Sequence, residues 1–459
     1  MRKVAVLVAV GWVGVAAAAA ACGDDPATPG GAAADAAPEA ATSDGGTSDA
    51  TPDAAAVDAA ADADGAVARP NEVVKVATGG YHSCALLGSG KVWCWGNNMA
   101  GQLGLGSSDG DAHPTATLVP GITDVVDVVV GRYTTCVVHK DGKVRCWGLN
   151  SHRQLAVDAA GDASCTIFGA ATSCRLAPVE LPIAGTLVKL ALGFDYGCAL
   201  SNQGGQAQIR CWGGNAFGQL GHDSAADDTC TYLGAATPCK AQPTVVSVTN
   251  ATDLTAGYHH VAAIVQGGAV HVWGGNEDGQ HGTGAKDGAP HPVPVVVPGV
   301  QAASLVPSTG SAGYTCVVTP AGKWSCWGAN AEGQCGQPFA PAATPATLDV
   351  TSASAGAGGR HVCVLSPASV VSCWGDNSSG ELGRDPADAG TSTPTPGVVG
   401  GVSNVKRISV GGFNACAIKT DDSVWCWGRF SQGESGRDPA LGGVGHVPVQ
   451  VAGVGQIPD

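Results

Sequence analysis

A tryptophan followed by glycine recurs seven times, at Trp95, Trp147, Trp212, Trp273, Trp327, Trp374 and Trp427, in steps of 52, 65, 61, 54, 47 and 53 residues. Self-similarity at this period constrains the fold more than any local motif. A unit so short cannot bury both of its faces alone and must stack on its neighbours. The chain has 459 residues, and the copies fall at roughly 73–122, 123–184, 185–249, 250–299, 300–350, 351–401 and 402–459.

The first copy shows what one unit builds. Val73-Val74-Lys75-Val76-Ala77 reads as a short strand and Gly79-Gly80-Tyr81-His82 as a bend. Ser83 to Leu87 and Val92 to Trp95 read as two further strands, and Thr117-Leu118-Val119 as a fourth. Gly88-Ser89-Gly90 fits a three-residue hairpin loop with glycine in the left-handed position, and Lys140-Asp141-Gly142 and Pro320-Ala321-Gly322 stand there in units two and five. No helical period interrupts the region. The expected fold is all-β, a seven-bladed β-propeller of four-stranded blades over residues 73–459.

The 18 cysteines support this hairpin register. Twelve fall in pairs, Cys84–Cys94, Cys136–Cys146, Cys198–Cys211, Cys316–Cys326, Cys363–Cys373 and Cys416–Cys426, five of them ten residues apart. With the loop centred on Ser89, Cys84 lies opposite Cys94, where Cα atoms are about 4.5–5.5 Å apart and a disulfide can form. Unit four, aligned with Val261 and Val272 at these positions, has lost both partners together, as a covalent pair requires. Cys165–Cys174 and Cys230–Cys239 are expected as two further bridges, in insertions that follow the tryptophans of units two and three. Short Cys-x2–4-Cys zinc spacings do not occur, so neither metal nor cofactor is expected. Disulfides in this number require an oxidising compartment. Cys335, at the place of Leu103 in unit one, is expected to be a buried free thiol.

The N-terminus agrees with that compartment. Arg2 and Lys3 precede an apolar run to Ala21, so residues 1–21 read as an export signal. Ala19-Ala20-Ala21-Cys22 resembles the lipobox of bacterial lipoproteins and implies lipidation of Cys22, although that motif usually has leucine where Ala19 stands. Cleavage without lipid and retention as an uncleaved anchor are the other two routes. Residues 22–72 are rich in Ala, Asp and Pro and read as a disordered acidic tether. The chain carries a net charge of −15; with the tether, Arg2 and Lys3 set aside, −8 remains on residues 71–459. That balance argues against a nucleic-acid partner. The expectation is an exported monomer of the cell envelope, touching the membrane only through a lipid anchor.

The run Gly79-Gly80-Tyr81-His82-Ser83-Cys84-Ala85-Leu86, continued by Val92 to Gly104, resembles the regulator-of-chromosome-condensation repeat, and the resemblance covers residues 73–459. It too implies a seven-bladed propeller. The paired cysteines resemble disulfide-bearing variants found in exported bacterial proteins. The family's namesake is a nuclear guanine-nucleotide exchange factor, and other relatives include a plant UV-B photoreceptor and a secreted inhibitor of β-lactamase. All work through protein contact on a propeller face. The resemblance therefore implies a protein–protein interaction scaffold without catalytic chemistry, whose partner is an extracytoplasmic protein or surface polymer. Inhibition of a secreted enzyme is the alternative. A propeller hydrolase or exchange-type activity ranks lower, since no exchange-specific motif is present. The photoreceptor carries tryptophans three positions before the cysteine position, where this chain has Tyr81, Tyr133, Asp195, Tyr258, Gly313, Arg360 and Phe413. Light sensing is not implied.

Little else suggests chemistry. Gly106-Ser107-Ser108-Asp109-Gly110 fits the spacing of a nucleophile elbow, but no strand-to-helix turn is expected there. His82, His259 and His361 share a repeat position, which the repeat itself explains. The candidate contact residues are Ile167, Phe168, Tyr232 and Leu233, the large apolar residues inside the two Cys-x8-Cys insertions. Tyr81, Tyr133, Tyr258, Arg360 and Phe413 are added from the inter-strand turns.

Overall fold

The computed structural model describes residues 68–306, 308, 313–339, 342–442 and 445–456. The export signal, Cys22 and the tether up to residue 67 lie outside the described residues. Seven antiparallel sheets follow one another, each drawn from one repeat, and the four-stranded ones are up-and-down meanders. The first comprises Val73–Thr78, His82–Leu87, Val92–Asn97 and Ala112–Leu118. Five blades have four strands. Blades two and three have five, because each disulfide-bearing insertion folds as an extra hairpin instead of a plain loop. Its strands are Ala163–Ile167 with Ala170–Glu180, and Asp228–Tyr232 with Ala235–Thr249.

The hairpin register follows from the turn. Gly90, Gly142 and Gly322 adopt φ of 73°, 82° and 72°, a conformation that costs glycine little. Cys84 then faces Cys94 directly, with Cα atoms 4.1 Å apart. Eight disulfides join the same eight pairs as the spacing indicates, and Cys335 is buried and free. Blade four corrects the alignment by one residue. Ala262, not Val261, faces Val272, and His260, not His259, aligns with His82 and His361. With no cysteine to mark the strand, two adjacent histidines left the register ambiguous.

Each repeat tryptophan is fully buried. Its indole N–H crosses to the neighbouring blade and donates to a main-chain carbonyl: Trp147 to Gln102, Trp212 to Gln154, Trp273 to Gln219, Trp327 to Gln280, Trp374 to Gln334, Trp427 to Glu381 and Trp95 to Glu434, at 2.7–3.2 Å. The tryptophan thus fills the inter-blade core and satisfies its single donor. The same contact closes the ring. Trp95 of blade one reaches blade seven, and Val73, Val76, Trp93 and Trp95 share a core with Cys416, Ile418, Cys426 and Val451. The first and last strands lie in adjacent blades, and among the described residues no strand is exchanged between them. Ala68 to Glu72, placed in the tether by composition, are bonded into the ring: Ala68 packs on the blade-one core and Glu72 accepts from Lys406 at 3.1 Å.

Candidate protein-interaction face

The turns between the first and second strands of the blades gather at one end of the ring. There Tyr81 stacks on Tyr133 with centroids 4.7 Å apart, and Phe413 approaches Tyr81 at 5.8 Å. Arg132 lies over Phe194 at 4.2 Å, over Tyr81 at 5.3 Å and over Tyr133 at 5.6 Å. Arg429 lies over Phe413 at 4.1 Å and Tyr81 at 4.5 Å. The chain of rings continues through Phe194 and Tyr258 at 4.6 Å, Tyr258 and His259 at 4.1 Å, and His259 stacked on Phe217 at 4.0 Å. Blades seven, one, two, three and four thus share one aromatic and cationic floor. Over blades five and six the same positions hold Gly313 and an exposed Arg360, which lies 3.7 Å from Glu332.

The two extra hairpins stand over this floor. Each is pinned at its base by an asparagine that donates to an aspartate, Asn150 to Asp162 at 2.9 Å and Asn215 to Asp227 at 2.6 Å. Each is stapled by its disulfide. Their tips use two apolar residues in opposite ways. Ile167 is 0% exposed and packs with Tyr133, Leu149 and Ala100; Tyr232, half-buried, lies 5.3 Å from His152 and joins the same cluster. The next residue points away: Phe168 is 66% exposed and Leu233 44% exposed.

Those two outward residues sit at an uncomfortable place. Ile167 pairs with Ala170 and Tyr232 with Ala235, so the loops are the two-residue turns Phe168-Gly169 and Leu233-Gly234. Phe168 and Leu233 both have φ of 49°, followed by glycines at 82° and 83°. Turns with two positive φ values favour asparagine or glycine first, and a large apolar side chain there is strained.

The nine candidate residues therefore divide. Phe168, Leu233 and Arg360 are exposed, and Tyr81, Tyr232, Tyr258 and Phe413 are half-buried. Ile167 and Tyr133 are buried and cannot touch a partner; they are supports, because the hairpin folds back onto the ring. Arg132, Arg429, Phe194 and Phe217 carry no sequence signal for this role, and the sequence assigns His259 only a repeat position. Arg132 and Phe194 stand four residues before the cysteine of the second strand, one before Tyr133 and Asp195. Arg429 replaces a residue that is Asn97 in blade one and Leu149 in blade two. The apparent elbow at Ser108 is a loop closed by Asn98, whose amide donates to the Ser107 carbonyl at 3.1 Å and the Asp109 carboxylate at 3.0 Å.

Comparison with known proteins agrees with this architecture. Profiles described as regulator of chromosome condensation (RCC1) repeat match residues 73–102, 125–154, 251–280 and 405–434, and a second profile of the same description matches 89–138. The probable E3 ubiquitin-protein ligase HERC4 of Homo sapiens is 29% identical over 229 residues, 49% of this chain and 19% of its own length. The ultraviolet-B receptor UVR8 of Arabidopsis thaliana is 26% identical over 266 residues, 58% of this chain and 54% of its own. This chain thus spans about a fifth of the one relative and about half of the other. Among solved structures, yeast RCC1 (Prp20) bound to Kap60 superposes with a TM-score of 0.64 at 20% identity, over 79% of this chain and 83% of that one, a likeness of fold. This chain therefore carries regulator of chromosome condensation (RCC1) repeats, matched in blades one, two, four and seven, within a seven-bladed β-propeller whose every blade bears the tryptophan–glycine signature.

Proposed function

We propose that this protein is an exported, non-catalytic interaction module, carried on the envelope through a lipid at Cys22, that binds a partner protein with the face bearing the two hairpins. The observation that carries this reading is the pair of tips. Phe168 and Leu233 are large, exposed and held in left-handed backbone, and neither conformation nor burial rewards them there. A residue that breaks a local rule without a folding gain points to function. The disulfides hold each tip rigid, which reduces the entropy lost on binding. Protein binding by a related propeller, yeast RCC1 with Kap60, is consistent with this use of the fold. Eight disulfides suit an oxidising compartment, in keeping with export.

The test substitutes both tips, Phe168→Asn with Leu233→Asn. Asparagine suits the turn, so the melting temperature should hold or rise, while affinity for a protein captured from envelope extract and repurified should fall at least tenfold by calorimetry. Unchanged affinity in a folded variant rejects this face. Because the tips project, occlusion of a secreted enzyme's cleft is the second reading. It requires that the captured partner be an enzyme whose turnover stops on binding.

A further inference from the structure

The floor beneath the hairpins holds a cation without a counter-charge. Arg132 donates from Nη2 to the Tyr81 hydroxyl at 3.0 Å, and among the described residues it forms no ion pair. Its Nε is buried and has no hydrogen-bond partner. Phe194, Tyr81 and Tyr133 surround the guanidinium with ring faces. The nearby charges are engaged elsewhere. Arg429 pairs with Glu434, and Asp195 accepts from Gln219 at 3.4 Å and lies 3.7 Å from His152. A half-buried cation left with a free donor is costly unless something arrives to accept from it.

We propose that Arg132 is the receptor for one carboxylate of the partner protein. This rests on reading the hairpin face as a protein-contact surface. The chemistry favours a carboxylate over a phosphate. Arg429 is neutralised by Glu434 and Asp195 already lies near by, so the single free guanidinium suits a monoanion better than a phosphate dianion. The planar guanidinium fork also suits the planar carboxylate, and the aromatic walls exclude water and strengthen the contact.

The site can be examined without any partner. The side-chain Nε–H resonance of Arg132 in the full-length protein, identified by its loss in Arg132→Gln, is followed while sodium acetate, sodium chloride or inorganic phosphate is added at matched ionic strength. Acetate should move it saturably, chloride should not, and phosphate should bind no more tightly than acetate. Arg132→Lys keeps the charge but not the fork and should weaken acetate binding about tenfold. Equal responses to acetate and chloride, or no saturation, overturn the proposal, and tenfold tighter phosphate overturns the carboxylate assignment. If Arg132→Gln does not fold, assignment by Arg132→Lys decides the same question. Failure here removes the anion receptor alone, whereas failure of the Phe168 and Leu233 experiment removes the contact face.

Discussion

The indole nitrogen of Trp427 donates to the main-chain carbonyl of Glu381, 3.0 Å away across the boundary between blades six and seven. The residue at this place is glutamine at five boundaries and glutamate at two, Glu381 and Glu434. Glutamine fits because it both accepts and donates: Gln102 accepts from the Ala100 N–H at 2.8 Å and donates to Asn97 at 2.7 Å. An ionised carboxylate can only accept. The two glutamates resolve this differently. Glu434 is met by the Arg429 guanidinium. Glu381 accepts from the Ser379 N–H at 2.8 Å through one oxygen, while the other is buried without a partner and feels the Asp376 charge.

The Glu434 solution depends on a charge pair between a buried carboxylate and a largely buried guanidinium. Arg429→Met should leave the carboxylate buried and unpaired and cost roughly 3–5 kcal/mol in urea denaturation. Adding Glu434→Gln should restore most of the loss, since glutamine stands at five of the other six boundaries. A single variant within about 1 kcal/mol of wild type would mean that the pair does not hold this boundary.

The hairpin of blade two offers a sharper contrast between neighbours. Ile167→Ala removes a fully buried side chain under Tyr133 and should cost about 2–5 kcal/mol. Phe168→Asn, one residue on, should cost nothing or stabilise, because it relieves a positive φ. Thermal melts of the two variants decide it; equal losses would mean that Phe168 also supports the fold.

The parts of this fold that could be read from the sequence are those set by local spacing. A ten-residue cysteine separation and a glycine-closed loop fix which residues face each other, so the hairpins and bridges were legible. Blade four was misread by one residue because Tyr258-His259-His260 offers no cysteine as a marker. The extra hairpin strands were missed because Phe168-Gly169 lacks the asparagine or aspartate that normally announces such a turn. Arg132 and Arg429 could not be recognised, since what matters is which rings from other blades surround them, and no local pattern records that.

Histidine burial predicts acid sensitivity. His82, His260 and His361 are fully buried, and burial lowers them to about 3, about 3 and about 4. Thr135 donates to the Gln102 carbonyl at 2.8 Å, so His82 must donate from Nε2 to the Thr135 hydroxyl at 2.7 Å. Its Nδ1 then has no partner, and a proton there would find no acceptor. A histidine whose folded value lies below the unfolded value of about 6.5 supports the fold above that pH and loses this support as pH falls. His361, which lacks the threonine partner, gives the cleanest test. In His361→Gln, the fall of stability between pH 6.5 and 4.5 should be shallower by up to about 1.4 kcal/mol per pH unit. An unchanged slope would show that His361 already titrates normally.

Glu381 predicts the opposite slope. Burial, then the Asp376 charge, raises its carboxyl to about 7 from an ordinary value of 4.5. The folded state therefore binds this proton more tightly than the unfolded chain. Below pH 4.5 both states are protonated and there is no penalty. Between 4.5 and 7 the unfolded chain loses the proton first, so stability falls as pH rises, and above 7 the full cost remains. That cost is on the order of 3 kcal/mol. Glu381→Gln restores the donor that five other boundaries possess and removes the titration. The variant should match wild type near pH 4 and exceed it by a few kcal/mol at pH 8, read from urea denaturation at a series of pH values. Asp376→Asn should recover part of the same gain, because it removes the neighbouring charge but leaves the burial. If Glu381→Gln is stabilised equally at pH 4 and pH 8, the carboxyl does not titrate in this range, and a missing hydrogen bond alone explains the effect.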